Sequence, residues 1–544
     1  MIGILHGYLL EGSGSNIWTR SIIQALCQQG ETVHLICQEN HPERYDFIAK
    51  AYQYRLNGTV ELMLQQKVSY SGRCIIHKPQ LGDTLPVYVW DHYEEFSSVI
   101  PMIELSTDEI EVYLQRNVRV VSEIVQKYGI TVFHANHAVL MSVVAQRISH
   151  KYGIPYAIMP HGSAMEYAVK KDKRLFDYAL SAFSDANKIF VIGPEIEQRV
   201  KIIFSDIPNI EDKMKELNIG VDTSLFEPID RAKRKEHISH LNRILISLER
   251  GKSPELYTGL IQRLSDNVDH QSLQEMLNRS RDYDVKLPDE DVGQKLSSIN
   301  WHRDKIILFV GRLIASKGLQ SIIAALPQIL VEAPETKLLV VGHGPLREVM
   351  EALIWALSKV QRKLVEKIVQ WGKALEGSNL KPFITLQHYF NNLADENRLY
   401  DYYKNAERYM QPDKVIFTGY LTHRELRYLF PCCDIAIFPS IVAEAGPLVF
   451  LEALACGCFP QGTYFAGMGA NIDSIAQHLP PQEAELMKLS EDERQTIMDI
   501  TTKAPKALNI AAKNKPILRE IAVEKYDWSN VSKKFADELT GVIK

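Results

Sequence analysis

The residues best equipped for chemistry lie between Asp434 and Gly457, where Glu444 and Glu452 stand in a Glu-x7-Glu pattern. Glu452 is the single charge of an apolar run, Leu448 to Ala455, that reads as a buried helix stopped by Gly457. A carboxylate in such a helix is costly unless something hydrogen-bonds it, and no Lys or Arg lies one turn away on either side. A ligand is therefore a good candidate. Two acceptor carboxylates of this kind suit the vicinal hydroxyls of a sugar. The backbone amides of Leu448 and Val449 open the helix, where free N–H groups and a positive dipole end favour an anion.

Positive charge converges from another segment. Gly311-Arg312-Leu-Ile-Ala-Ser-Lys317-Gly318 puts a guanidinium and an ammonium on one loop, as a diphosphate requires. A turn, Gly342-His343-Gly344-Pro345, follows the next strand. In the first half, His134, His137 and His161 fall at strand ends; Pro160-His161-Gly162-Ser163 sets an imidazole on a tight turn. Any one of these histidines taken singly also reads as a satisfied structural residue.

These groups need a scaffold that brings strand ends together. Asp434–Ser440 reads as a short buried strand whose carboxyl-end loop carries Glu444, the edge at which open α/β sheets hold ligands. Strands are expected at 2–6, 32–37, 131–135, 156–159, 188–192 and 218–222, and again at 305–310, 337–341, 415–418 and 434–440. Their alternation with helical segments argues for two parallel, doubly wound sheets. The first βαβ unit carries Gly12-x-Gly14 before a helix and Glu39 after the second strand, a partial dinucleotide fingerprint with Ile17 at the third glycine position. The expected divisions are an N-terminal domain over 1–228, a polar insertion or linker over 229–300, and a C-terminal domain over 301–526. That domain holds a helical insertion at 351–414, and a final helix over 527–544 returns to the first domain. Asp282, Asp284, Asp289 and Asp291, inside the polar insertion, read as solvated surface rather than a metal site.

Composition narrows the class. With 544 residues, 46% hydrophobic and 24% charged, the chain is too long for one core and ordinary for a globular protein. A net charge of −5 gives no reason to expect nucleic acid. The seven cysteines are odd in number and sit in apolar patterns, so they read as reduced core residues of a cytoplasmic protein. Neither Cys432-Cys433 nor Cys456-Gly-Cys458 has metal-ligand spacing, and no metal or cofactor is expected. No run reaches the roughly 20 apolar residues of a membrane span.

Taken together, Gly311-Arg312-x4-Lys317-Gly318, the Gly342-His-Gly344-Pro turn, Val415-Ile-Phe-Thr-Gly419 and Glu444-x7-Glu452 with Ala455-Cys-Gly457 resemble the retaining GT-B glycosyltransferases of family 4. Ser13-Gly14 stands where that family has a Gly-Gly loop, and Asn218–Phe226 resembles its interdomain signature. The resemblance implies a GT-B fold, two Rossmann-like domains facing a cleft, and hexose transfer from a nucleotide diphosphate sugar without a metal. It implies that Arg312 and Lys317 hold the donor diphosphate, with Gly311, Gly344, Gly14 and the amides of Leu448 and Val449 at the phosphates. Glu452 would take the ribose hydroxyls, Glu444 those of the transferred sugar, and His161 would lie near that sugar. Two positions depart from the pattern. Ser13 replaces a glycine, and Pro447 removes one N–H from the phosphate pocket.

Uridine is the preferred donor base over guanosine or adenosine. The acceptor, a small molecule, saccharide or lipid, is not named by the sequence; a soluble acceptor is favoured, and a homo-oligomer is compatible. Two other classes stay open: a nicotinamide-dependent oxidoreductase using the Gly12–Gly14 loop and Glu39, and a non-catalytic binder of nucleotide sugars.

Overall fold

A computed structural model describes the chain except residues 12, 83, 89–95, 97, 281–285, 378, 443–445 and 544. It divides into two compact units, Met1–Gly220 with Lys525–Lys544, and Val221–Glu524.

The first unit is built on β1 (Ile2–Leu5), β2 (Thr32–Ile36), β3 (Ile48–Tyr54), β4 (Val60–Gln65) and β5 (Arg73–Pro79), followed by the small pair β6 (Thr84–Val87) and β7 (Ser98–Pro101). Its remaining strands are β8 (Val132–Asn136), β9 (Tyr156–Met159), β10 (Lys188–Val191) and β11 (Met214–Glu216). The main sheet runs β11-β10-β9-β8-β1-β2-β5-β3-β4, parallel throughout apart from the antiparallel β3–β4 pair. Its central strands read as unbroken apolar runs because helices cover both faces; β1 is buried along its whole length. Helix Gly14–Gln28 is capped by Ser13, whose Oγ accepts from the Asn16 amide at 3.3 Å. Against it packs the terminal helix Trp528–Thr540, with Phe535 edge-on to Trp18 at 5.8 Å between ring centroids.

Two local expectations fail here. Residues 218–222 form no strand; β11, just upstream, pairs with β10 instead. A Cβ on Gly220 would lie 2.3 Å from the Trp528 ring, so this stretch is pressed against the terminal helix rather than laid into the sheet. The β3–β4 hairpin and β5 were also not anticipated.

The second unit has a parallel sheet of order β14-β13-β12-β15-β16-β17. Its strands are β12 (Lys305–Val310), β13 (Thr336–Val341), β14 (Val415–Gly419), β15 (Ile435–Phe438), β16 (Phe459–Thr463) and β17 (Lys488–Leu489). The stretch 229–300, expected as an insertion or linker before a domain starting at 301, lies within this unit, which begins at Val221. Arg234 from helix Arg234–Leu245 pairs at 2.7 Å with Asp434 at the foot of β15. Asp289 is 1% exposed, so its reading as solvated surface is overturned. Its amide donates to the Thr418 carbonyl at 2.8 Å, and its carboxylate meets Arg347 and Lys295, each at 2.8 Å. The counter-charge of Arg347 lies in another element, beyond the reach of local pattern. Asp282 and Asp284 fall outside the described residues. Among the described residues no helix is long and apolar enough to cross a membrane.

Candidate active site

In both sheets the strand order reverses direction once near the middle, between β1 and β8 in the first unit and between β12 and β15 in the second. Loops leaving the carboxyl ends of such strands diverge to opposite faces and open a crevice between them. The candidate residues gather at these two places.

In the second unit, β12 leads into the loop 311–318 and β15 into the loop that ends at Pro447. The Ser440 hydroxyl and the Ile441 amide both donate to the Ser316 carbonyl, at 3.2 and 2.9 Å. Gly318, with φ +78°, lets these loops touch: a Cβ there would sit 1.9 Å from the Pro439 carbonyl oxygen. The turn after β13 is laced to the same loop. Leu313 donates to the His343 carbonyl at 2.8 Å and accepts from Leu346 at 2.9 Å, Gly311 donates to Val341 at 3.0 Å, and Arg347 donates to Gly344 at 3.1 Å. Gly342, at φ +146°, allows that approach, since a Cβ would meet the Gly311 carbonyl at 1.9 Å.

Arg312 emerges from this knot exposed, its carbonyl accepting from the Ile314 amide at 3.0 Å and its guanidinium making no hydrogen bond or ion pair among the described residues; Lys317 on the same loop is half-buried. Helix Leu448–Ala455 starts after Pro447 with no side-chain cap. Among the described residues the amides of Leu448 and Val449 have no acceptor, while Phe450 already bonds back to Pro447 at 3.1 Å. The first turn therefore presents open donors beside an unneutralised guanidinium. Glu444 lies outside the described residues.

Glu452 is 4% exposed and faces a partner that the sequence did not suggest. Its Oε1 lies 2.7 Å from Nδ1 of His423, the first residue of helix His423–Leu429, while Oε2 is buried with no partner among the described residues. A carboxylate with one oxygen held and one waiting is suited to accept from a hydroxyl. The Thr422–Glu425 capping box marks where the His423 helix begins, but nothing local ties it to Glu452.

The first unit offers a different chemistry at the matching place. Asn136, ending β8, accepts at Oδ1 from Nε2 of both His134 and His161, each at 3.1 Å, and donates from Nδ2 to Thr19 Oγ1 at 2.9 Å and His6 Nδ1 at 3.3 Å. His6 Nε2 in turn donates to the Leu9 carbonyl and Asn16 Oδ1, at 3.0 and 3.1 Å. One set of tautomers satisfies the network: Nε2 carries the proton in His6, His134 and His161. His161 thus keeps an Nδ1 lone pair. Burial pushes His6 down to about 4, and His134 and His161 to about 3, so these rings are neutral near pH 7. His137 packs 4.8 Å from the His161 ring and 4.7 Å from Tyr88, and burial holds it well below the usual range too. His137 and His161 adopt positive φ, 73° and 49°, which only a tightly determined setting sustains.

Gly14 begins the first helix, exposed, and a Cβ there would meet nothing within 4 Å. Ser13 serves as that helix's cap, a positive reason for serine at this position. Glu39, the acidic residue of the partial dinucleotide fingerprint, is spent on the chain itself. Its Oε2 accepts from Leu10 at 2.9 Å and its Oε1 from Asn40 and His41 at 3.0 and 2.8 Å, leaving no oxygen turned to a ribose. All seven cysteines are buried and free.

Residues 295–363 and 387–462 match the family Glycosyl transferases group 1, so the second unit carries a domain of that family. An uncharacterized glycosyltransferase of Methanocaldococcus jannaschii is 27% identical over 177 residues, a match spanning 32% of this chain and 32% of that relative. The catalytic domain of starch synthase IV from Arabidopsis thaliana, bound to ADP and acarbose, superposes with a TM-score of 0.52 at 11% identity, covering 100% of this chain and 99% of its own. Sucrose-phosphate synthase from Thermosynechococcus elongatus gives a TM-score of 0.48 at 14% identity, covering 98% and 97% of the two chains. The fold is that of the GT-B glycosyltransferases.

Proposed function

We propose that the protein is a retaining glycosyltransferase of family 4 that moves a hexose from a nucleotide diphosphate sugar, with UDP preferred, to an acceptor hydroxyl. The observation that carries this reading is the set of groups at the β12/β15 crevice that find no partner among the described residues: the Arg312 guanidinium, the amides of Leu448 and Val449, and one oxygen of Glu452. An anion with a hydroxylated neighbour answers all of them at once, and the family match covers the same segment.

In this scheme Arg312, Lys317 and the helix amides hold the donor diphosphate and take up the charge that develops as the anomeric carbon–oxygen bond breaks. Glu452, steadied by His423, accepts from the ribose hydroxyls. Glu444 and the Nδ1 lone pair of His161 accept from hydroxyls of the transferred sugar. The acceptor oxygen bonds to the anomeric carbon from the face that the phosphate leaves, and the departing phosphate oxygen takes the acceptor's proton. Cationic side chains do the work of a metal, so full activity in excess EDTA is expected.

The test is a melting-temperature panel with UDP, GDP, ADP, their hexose conjugates and NAD, followed by donor turnover in water. A ligand that binds only the folded state raises the melting point. Stabilisation by one nucleotide family together with slow donor hydrolysis is the expected result. Stabilisation by NAD alone overturns the proposal, and nucleotide binding without any turnover reduces the protein to a binder.

A further inference from the structure

A second concentration of positive charge lies in the second unit, on residues other than those of the crevice. Between the segment 224–230, helix His423–Leu429 and the late part of helix Thr496–Ile521 is an open hollow of about 720 Å³. Its lining includes Lys233, Arg427, Lys515 and Arg519 against only Glu227 and Asp230. Lys233 and Arg427 form no ion pair among the described residues. Arg427 lies over the Tyr428 ring at 4.5 Å and donates to that residue's hydroxyl. Among the described residues Lys515 donates to the Ile229 carbonyl, at 3.0 Å, and desolvation and Arg234 lower its pKa against the opposing pull of Asp434. Arg519 donates to the Phe226 and Ala455 carbonyls at 2.8 and 3.3 Å, and its one carboxylate partner, the exposed Glu227, stands off at 3.9 Å.

Elsewhere in this unit buried cations are neutralised closely: Arg234 by Asp434 at 2.7 Å, Lys252 by Glu351, Arg347 by Asp289 at 2.8 Å. The four cations of the hollow are exposed or half-buried rather than buried, yet one hollow gathers all of them against two carboxylates. Like charges gathered this way repel one another until an anion joins them. The volume is that of a small-metabolite pocket. Glu227 and Asp230 at the rim supply hydroxyl acceptors, which a bare inorganic ion would not use.

We infer that this hollow is a second binding site, for a soluble phosphate ester of a small hydroxylated molecule, with the phosphate on Lys233, Arg427 and Lys515. The segment it grips, 224–230, comes directly after the division between the two units, so an occupant would stiffen the start of the second unit. The site does not depend on how the crevice between β12 and β15 is used.

Calorimetric titrations of inorganic phosphate and of a hexose 6-phosphate, at constant ionic strength, test it on three proteins: the wild type, the double variant Lys233→Ala/Arg427→Ala, and the crevice variant Arg312→Ala/Lys317→Ala. Binding that survives in the crevice variant but weakens tenfold or more in Lys233→Ala/Arg427→Ala, with the hexose phosphate tighter than phosphate, is the expected pattern. Arg427→Gln, a milder change at this half-buried position, should weaken binding in the same direction and guards against a folding defect. Equal affinity in wild type and Lys233→Ala/Arg427→Ala overturns the assignment. So does co-sedimentation with phosphatidic acid vesicles in the absence of soluble binding, which would give the cations to a lipid surface. Loss of binding only in the crevice variant would leave the donor reading intact and remove this site.

Discussion

The two sheets reverse at equivalent places and equip those places in opposite ways. At the β12/β15 crevice the described residues leave an exposed Arg312, helix amides without a cap and a Glu452 with one oxygen unpartnered. At the β1/β8 crevice it closes a hydrogen-bond network of Asn136, His6, His134 and His161, whose rings burial keeps neutral. One edge waits for charge from outside, and the other has removed charge from within. Topology sets where a ligand goes, while the balance of satisfied and unsatisfied polar groups sets what kind of ligand it is. An anionic diphosphate suits the first, and uncharged hydroxyls suit the second.

Acid should break the comparison most strongly. The folded-state values of His6, His134 and His161, about 4, 3 and 3, lie below the ordinary 6.5, so the unfolded chain takes up protons first. Stability is therefore lost as pH falls from about 6.5 towards 3 to 4, by several kcal/mol in total, and the first unit should open before the second. Hydrogen exchange of β1 and β8 against β12 and β15 at pH 7.5 and pH 5 checks this; equal loss in both sheets would contradict it.

Next in size is Arg312→Ala, expected to lower transfer by a factor of about 100 to 1,000 (about 2.7–4 kcal/mol) with an unchanged melting point, as when a preorganised charge-stabilising donor is lost. Turnover near the wild-type rate would show that the exposed guanidinium is idle. Glu452→Gln should weaken nucleoside diphosphate binding by about 1.5–3 kcal/mol, the worth of hydrogen bonds to a charged group, measured by calorimetry. Unchanged affinity would remove Glu452 from the ribose. Smallest is Gly14→Ala: an added methyl meets nothing within 4 Å, so stability should hold or rise by about 0.4–1 kcal/mol. A fall in donor affinity despite that would mean that the loop closes on the phosphates.

How much of this could be read from sequence divides along the same line. Arg312 and Glu452 stood out in the sequence because one comes just after an apolar strand and the other interrupts an apolar helix, and Lys317 because it shares the Arg312 loop. The His423 partner of Glu452 did not, because the pair joins the start of one helix to the middle of another, 29 residues apart in sequence. The imidazole network was still less visible: His6, Thr19 and Asn136 meet only because β1 and β8 align Ile4 with His134. Asp289 misled for a related reason, since a charge-rich stretch looks solvated until Arg347 and Lys295 are seen beside it. The doubly wound plan of both halves was legible from strand and helix alternation. The β3–β4 hairpin was not, because edge pairing leaves a weaker periodicity than a buried parallel strand.

The distribution of the thiols has a practical use. Cys27, Cys37 and Cys74 belong to the first unit and Cys432, Cys433, Cys456 and Cys458 to the second, all buried. Burial pushes Cys27, Cys37 and Cys432 up to about 12, so in the closed state they scarcely react. Each sheet thus carries its own silent clock. Pulsed alkylation read by mass spectrometry would time the opening of the two halves separately, in one native sample and without any introduced label site.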